Sequence, residues 1–295
     1  MGTGSLVFRD AAGGSCASES SLQNGQTTLP AGWTTGASTT ACPASIFGDI
    51  GKIMFYDNFA GTTISPYWTV ISRHGEYAQD ETECNTPQQV TVNNGLTITT
   101  IAQSTVCGDF NVDGSVRHEP QPWPFATGDI QWNNLNFTYG TVEIQGRIPP
   151  KAIGLWPAFW LLGSNCQVTN PFTADTGYDT CPEYGNGDGY TEIDMTECVG
   201  DGDWCQFVIP SEGAYCSYPV DSNTHVFDMT WSPSGVSVAV DGQPTGCSFS
   251  SNSWTIPSTP MFLIIQTQTG GIAGDLKDSS LPAELVVNYV KVTQP

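Results

Sequence analysis

The sequence predicts an all-β sandwich, and three observations support that fold class. Apolar and polar residues alternate with a period of two in several segments, as in strands with one buried face. Turn residues recur at intervals of roughly 8–15 positions, a spacing typical of antiparallel sandwiches. The 32 Gly and 20 Pro residues interrupt the chain too often for long helices. A chain of 295 residues is long enough for one large β domain with a sizeable core.

Five segments carry the clearest strand patterns, and we find no helical pattern longer than about two turns. Two of these segments adjoin residues that favour tight turns. The predicted strands are, in chain order, residues 96–101 after the turn Asn93-Asn94-Gly95, the segment with Val142, Ile144 and Ile148 on one face, the segment with Phe227, Met229 and Trp231 on one face, the segment with Val236, Val238 and Val240 before the turn Asp241-Gly242, and residues 285–292.

Residues 1–50 differ in amino-acid composition from the rest of the chain. They are rich in Gly, Ser, Thr and Ala, so we expect an irregular extension over 1–50 and a single β domain over 51–295. The start of the chain lacks a basic segment followed by an apolar run, and we expect a mature chain that begins with an added Met1. No apolar run approaches the ~18 residues of a membrane helix.

The ten cysteines indicate disulfide bonds. None shows the C-x-x-C spacing of a zinc site, and an even number in an acidic, Ser/Thr-rich chain is typical of an oxidising compartment. We therefore expect a secreted protein. The sequence leaves the connectivity open, although Cys16–Cys42 and Cys166–Cys181 each bracket a loop-like stretch and are the local pairings that we expect.

The charge balance restricts the partners of the protein. Lys and Arg number 8 against 29 Asp and Glu, a formal net charge of −21, which would repel nucleic acid and anionic membranes. A neutral substrate fits this surface best. The nine tryptophans offer flat faces on which the apolar side of a sugar ring can stack, although core packing is the ordinary role of each of them.

The segment Glu192-Ile193-Asp194-Met195-Thr196-Glu197 is the strongest candidate for chemistry. Glu192 and Asp194 are two residues apart on a predicted strand and therefore share a face. Glu197 is five residues from Glu192, which in a regular strand would point it to the opposite face. A one-residue bulge at Met195-Thr196 would restore the parity and bring all three carboxylates to one side.

Three acids on one face repel one another, so at least one carboxyl should have a raised pKa. Glycoside hydrolysis uses such a set, because one ionised carboxylate attacks the anomeric carbon while a protonated carboxyl donates to the leaving oxygen. Along a flat strand the two Glu Cα atoms would be about 13 Å apart, so the motif predicts a curved sheet. The alternatives are a solvated acidic strand or a calcium loop with Asp188, Asp201 and Asp203, although the spacing does not match an EF-hand.

Several motifs in the order of the chain resemble glycoside hydrolase family 16, and in particular its laminarinase-like branch. The resemblance spans residues 50 to 295. The segments that carry it are Phe55-Tyr56-Asp57-Asn58-Phe59-Ala60-Gly61, Tyr139-Gly140-Thr141-Val142-Glu143, Gly154-Leu155-Trp156-Pro157-Ala158-Phe159-Trp160-Leu161-Leu162, Glu192-x-Asp194-x-x-Glu197, Trp231 with Val240-Asp241-Gly242, Gly270-Gly271, and Val286-Val287-Asn288-Tyr289-Val290-Lys291-Val292.

The resemblance implies a curved jelly roll with an open cleft and a retaining, endo-acting hydrolase. It makes Glu192 the nucleophile, Asp194 the residue that orients it, and Glu197 the general acid/base. The substrate-binding candidates are Trp156 and Trp160, which stand at cleft positions of the family, Asp129 in Thr127-Gly128-Asp129-Ile130, and Gln206 on the strand after the acidic motif. Ordinary core packing remains the alternative for both tryptophans, and a plain turn is the alternative for Asp129.

The chain departs from the family pattern at positions that bear on the substrate and on metal binding. Gln145 stands where the family has Arg, Gln266 stands where Asn is frequent, and the strand around Gln206 has no His. These differences leave the identity of the glucan open. Asn58 and Asn288 stand at the slots of a structural calcium, where the family has acids, so we expect no required cofactor or metal and treat calcium as doubtful.

Taken together, the sequence predicts a secreted, monomeric retaining endo-hydrolase of a neutral β-glucan with β-1,3 or mixed β-1,3/1,4 linkages. The polysaccharide is the expected partner, and neither nucleic acid nor a membrane is expected. One alternative is a hydrolase of the same fold that cleaves another polysaccharide, of the galactan or agar type. A second is a non-catalytic β-glucan-binding protein, which we expect to have lost Glu192 and Glu197.

Overall fold

The computed structural model of the protein describes residues 53–76, 79–174, 181, 191–200, 202 and 204–294. The predicted extension over 1–50 and the Cys16–Cys42 pairing lie outside the described residues, as do Asp188, Asp201 and Asp203 of the calcium-loop alternative. The strands are β1 (Ile53–Asp57), β2 (Trp68–Val70), β3 (Glu83–Asn85), β4 (Val90–Val92), β5 (Leu96–Phe110), β6 (Val116–Thr127), β7 (Asp129–Trp132), β8 (Gly140–Arg147), β9 (Leu155–Gly163), β10 (Glu192–Glu197), β11 (Trp204–Ile209), β12 (Ala214–Pro219), β13 (Thr224–Ser232), β14 (Gly235–Val240), β15 (Gln243–Ser250), β16 (Met261–Thr269) and β17 (Ala283–Thr293).

The strands form two sheets, which confirms the predicted all-β jelly-roll class. The ten-stranded sheet has the order β15-β14-β13-β8-β17-β5-β6-β3, with β1 beside β17 and β4 beside β5. The seven-stranded sheet has the order β12-β11-β10-β9-β16-β7-β2. Among the described residues, the helical segments are three-residue 3₁₀ turns at Pro87–Gln89, Ser164–Cys166, Pro210–Glu212, Gly271–Ala273 and Asp278–Ser280.

The five predicted strands correspond to β5, β8, β13, β14 and β17. The turn before β5 places Asn94 at φ 52° and Gly95 at φ 150°, and the β14–β15 hairpin places Asp241 at φ 52° and Gly242 at φ 71°. Residues of these types reach positive φ at low cost, which explains why the turn signals are reliable. One boundary differs from the prediction, because β8 ends at Arg147 and Ile148 is buried just beyond it.

The core lies between the two sheets and is built from the alternate residues that face inward. Phe159 of β9 contacts Phe227 of β13 across this core, with ring centroids 5.5 Å apart. Phe207 of β11 stacks on Phe249 of β15 at 4.7 Å. Burial of each such ring stabilises the fold by about 1.5–3 kcal/mol relative to exposure. The core therefore fixes the inner face of the seven-stranded sheet and leaves its outer face available for a site.

Four disulfides connect the described residues, and every cysteine among them is paired. They join Cys84 to Cys107, Cys166 to Cys181, Cys198 to Cys205 and Cys216 to Cys247, so the predicted Cys166–Cys181 pairing is confirmed. The Cys198–Cys205 bridge links the end of β10 to the start of β11. Within the described part of the chain, no helix is long and apolar enough to cross a membrane.

Candidate active site

A cavity of about 220 Å³ lies over the outer face of the seven-stranded sheet. We call this face the cleft face. Side chains from four neighbouring strands meet there, with three residues from the surrounding segments. The lining residues are Trp156, Ala158 and Trp160 of β9, Glu192, Asp194 and Glu197 of β10, Gln206 and Val208 of β11, Gln268 of β16, and Gln79, Pro210 and Ile272.

The structure contains the bulge that the acidic motif requires. Asp194 of β10 is opposite Trp160 of β9, but Thr196 is opposite Phe159, so Met195 is an extra residue in the ladder. Glu197 is then opposite Ala158, which returns it to the cleft face. The bulge thus corrects the parity, and Glu192, Asp194 and Glu197 all line the same cavity.

The side chain of Tyr218, on β12, holds this bulge from the core side. Its hydroxyl donates to the backbone oxygen of Met195 over 3.0 Å, and it lies 2.8 Å from Oγ1 of Thr196. A phenol has one hydrogen, so the Thr196 hydroxyl is the donor to Tyr218. Because a bulge interrupts ladder pairing in a buried region, the bond to Met195 supplies a partner for its backbone oxygen, and the bond with Thr196 pairs two buried hydroxyls.

Glu197 is the acid whose environment best suits proton transfer. Its Oε1 accepts a hydrogen bond from Nε1 of Trp156 over 2.8 Å. Burial raises the pKa of Glu197 to about 7, and the hydrogen bond from Trp156 acts in the opposite direction. A carboxyl with such a pKa can hold a proton and also release it near neutral pH.

Asp194 differs from Glu197 in its surroundings. Its side chain is 5% exposed, and burial raises its pKa well above the usual range. The neighbouring charges of Glu192 and Glu197 and a hydrogen bond with Glu192 act in the same direction. A protonated Asp194 that donates to Glu192 keeps the negative charge on Glu192, which is what a nucleophilic carboxylate needs.

The structure brings three of the four substrate-binding candidates to the cavity. Trp156 and Trp160 are each 5% exposed and line it, and Gln206 is the register partner of Glu197 on β11. The buried Nε1 of Trp160 has no hydrogen-bond acceptor. Asp129 is on the same face but is 1% exposed and accepts a hydrogen bond from Gln131, and it is not among the lining residues.

Gln268 is a cavity residue that the sequence analysis missed. It alternates with Gln266 on β16, whose other residues are apolar or Thr, and two glutamines on one face of a buried strand were an available signal. Its Nε2 donates to Oε1 of Glu81 over 2.8 Å. Gln79, Pro210 and Ile272 lie outside the strands, and no periodic pattern could have found them.

The two positions at which we expected a structural calcium to be doubtful carry neutral side chains. Asn288 donates through Nδ2 to Oε1 of Gln145 over 3.1 Å, and both Asn58 and Asn288 are neutral. Calcium sites are built from several oxygen ligands with carboxylates among them. The expectation that no metal is required remains a prediction, and no step below uses one.

Two sheets in a sandwich, with carboxyls and tryptophans over one face, are the arrangement expected of a jelly-roll glycoside hydrolase. The chain belongs to the glycosyl hydrolases of family 16, because the sequence profile of that family matches residues 77–291, more than half of its length. The predicted family and enzyme class are therefore confirmed. A search of curated proteins found no significant match.

Several solved structures share the fold of this chain. The laminarinase catalytic domain of Thermotoga maritima is 22% identical with a TM-score of 0.62, over 83% of this chain and 98% of that one. The Rhodothermus marinus laminarinase is 20% identical with a TM-score of 0.64, over 82% of this chain and 97% of that one. A third structure, described with endo-acting O-glycanases that initiate mucin breakdown in the human gut microbiota, is 20% identical with a TM-score of 0.62, over 83% and 91% of the chains.

Proposed function

We propose that this protein is a secreted, retaining endo-hydrolase of a neutral β-glucan with β-1,3 or mixed β-1,3/1,4 linkages. The observation that carries the proposal is the bulge at Met195, because it turns Glu197 to the face that already holds Glu192 and Asp194. A retaining glycosidase needs one carboxylate as nucleophile and a second carboxyl as proton donor. The environments of the three acids favour that division of roles.

In the first step, Glu192 attacks the anomeric carbon of the sugar, and the bond from that carbon to the glycosidic oxygen breaks. Glu197 gives its proton to the departing oxygen, which leaves as a new chain end. Asp194 keeps its proton and donates to Glu192, so the attacking carboxylate is oriented. The product of this step is a glycosyl ester on Glu192.

In the second step, water attacks the same carbon and the ester bond breaks. Glu197, now ionised, accepts a proton from that water, which restores both carboxyls to their starting forms. Two inversions at one carbon give overall retention of configuration. A pKa of about 7 for Glu197 suits a group that must act as an acid and then as a base.

A neutral glucan is the substrate class that the charge and the cavity favour. The net charge of −21 opposes sulfated or carboxylated polymers. Trp156 and Trp160 line the cavity with rings that can stack on sugars. Laminarinases from Thermotoga maritima and Rhodothermus marinus share the fold, and the paired disulfides fit an extracellular enzyme.

The alternatives predict different outcomes in one experiment. Wild-type protein is incubated with laminarin, lichenan, agarose, xyloglucan and mucin O-glycans, and the anomer first released is followed by NMR. We expect shorter oligosaccharides from laminarin or lichenan with the β anomer first. The mucin arm tests the substrate named for the third structure, and release of the α anomer first would refute the mechanism.

The variant Glu192→Gln tests the site. It should lower the rate of reducing-end release by at least about a thousandfold, because the amide cannot act as nucleophile. Wild-type binding to laminarin without release of reducing ends would favour a non-catalytic glucan-binding protein. A variant as active as the wild type would refute the role of Glu192.

A further inference from the structure

A second pair of buried acids lies behind the wall of the cleft, and the proposed reaction does not use it. Glu81 and Glu83, here called the β3 pair, are 3% and 0% exposed. Oε2 of Glu83 accepts from the backbone N–H of Thr269 over 2.9 Å and from its hydroxyl over 2.8 Å. Oε2 of Glu81 accepts from the backbone N–H of Glu76 over 2.8 Å. The pair is therefore fixed on several sides by protein donors.

The two carboxyls of the β3 pair are also close to each other. A Cβ placed on Gly75 would clash with Oε2 of Glu81 and with Oε1 of Glu83, so these two oxygens flank the same point. A hydrogen bond joins the two side chains, and burial raises the pKa of both. Two buried carboxylates this close share a proton. With that proton between the two acids, Oε1 of Glu81 remains a hydrogen-bond acceptor.

Glu81 uses that oxygen to hold Gln268. Nε2 of Gln268 donates to Oε1 of Glu81 over 2.8 Å, which fixes the orientation of the amide. Gln268 lines the cavity and is the register partner of Trp156, whose indole donates to Glu197. An amide whose NH₂ group is bound to a carboxyl behind it has its carbonyl oxygen left to accept from another donor.

We infer that Gln268 is a specificity-determining residue, which accepts a hydrogen bond from a hydroxyl of the sugar bound beside Glu197, and that Glu81 is the positioning residue that orients it. This inference rests on the proposed function, because it takes a β-glucan as the ligand. Sugar hydroxyls are donors as well as acceptors, and a fixed acceptor selects the position and configuration of the hydroxyl that meets it.

The inference is tested by ligand binding in the inactive Glu192→Gln background. Calorimetry with laminarihexaose, a β-1,3-linked glucose hexamer, should give a Kd about 5–10-fold weaker after Gln268→Met, since a hydrogen bond to the ligand is lost. Glu81→Met should weaken binding in the same direction. Glu81→Gln, which keeps an acceptor for Gln268, should bind close to the parent. Gln243→Met, an exposed glutamine of β15, is the matched control.

The KM and kcat of the same substitutions in the wild-type background provide a second test of the inference. Gln268→Met should raise KM with kcat largely kept, because the contact holds ground state and transition state alike. An unchanged Kd and KM for Gln268→Met would overturn the contact. A folded Glu81→Met variant that binds like the parent would overturn the positioning role of Glu81. If that variant does not fold, the comparison of Gln268→Met with Gln243→Met still decides whether Gln268 contacts the sugar. Failure of the Glu192→Gln parent itself to bind would instead refute the glucan proposal.

Discussion

Two groups of buried acids in this protein look alike in sequence and differ in environment. Glu192 and Asp194 are two residues apart, and so are Glu81 and Glu83, and burial raises the pKa of Asp194 as it does for both members of the β3 pair. The β3 pair is enclosed by protein donors, whereas the acids on β10 line an open cavity. Spacing and a perturbed pKa are thus shared by a structural pair and a candidate site, and access to ligand separates them.

Replacement of Glu197 by alanine should produce the largest difference between the two groups. Loss of the proton donor should lower hydrolysis of a polymer by about 10²–10⁴-fold with little change in the folded structure. Reducing-end assays measure the rate, and Glu119→Ala on the exposed surface is the control. Residual activity should be highest on aryl glycosides with good leaving groups, which need less protonation. A loss smaller than tenfold on the polymer would contradict the role of Glu197.

Gly75→Ala should affect the β3 pair and act mainly on stability. The added methyl group would overlap Oε2 of Glu81 and Oε1 of Glu83, so either the carboxyls or the backbone must shift. We expect a loss of about 1–3 kcal/mol in the free energy of unfolding, measured by urea titration. Gly202→Ala, where the methyl group makes only an ordinary contact with Trp204, is the control and should leave that free energy unchanged.

Tyr218→Phe tests whether the bulge on β10 depends on the hydrogen bonds made by the Tyr218 hydroxyl. The ring stays in the core while the hydroxyl that pairs with Met195 and Thr196 is lost, and the orphaned groups should cost about 1–3 kcal/mol of stability. We also expect a lower kcat, since Glu197 follows the bulge directly. Tyr215→Phe on the same strand removes an exposed hydroxyl and is the matched control. Equal kcat values for the two variants would show that the hydrogen bonds of Tyr218 have no role in the activity.

The smallest expected effect is a change in the pH profile of Trp156→Phe. The indole N–H stabilises the ionised form of Glu197 and so lowers its pKa, against the larger effect of burial. Removal of this donor should raise the pKa and move the basic limb of kcat/KM to higher pH, since the acid would stay protonated longer. A limb that moves to lower pH would reverse the assigned sign. The wild-type limb, expected near pH 7, is the reference.

The sequence was informative about the fold and about the acids on β10. It was less informative about the residues that hold the bulge and complete the cavity. Period-two alternation and the Asp241-Gly242 turn predict strands because both are local properties of the chain. The bulge could be predicted from parity alone once three acids were required on one face. Tyr218 and Gln268 could not be assigned in this way, because their partners on β10 and beside β3 are distant in sequence and depend on strand order.

The bulge on β10 makes the position of Glu197 depend on how the strand pairs with β9 as well as on the identity of the side chain. The same six residues in a regular strand would include every acid of the cavity, yet Glu197 would point towards the core. A chain without Met195 would instead have the three acids at every second residue, so a regular strand would place all of them on the cleft face. Two sequences of different length can therefore reach the same arrangement of carboxyls, one through a bulge and the other through a regular strand.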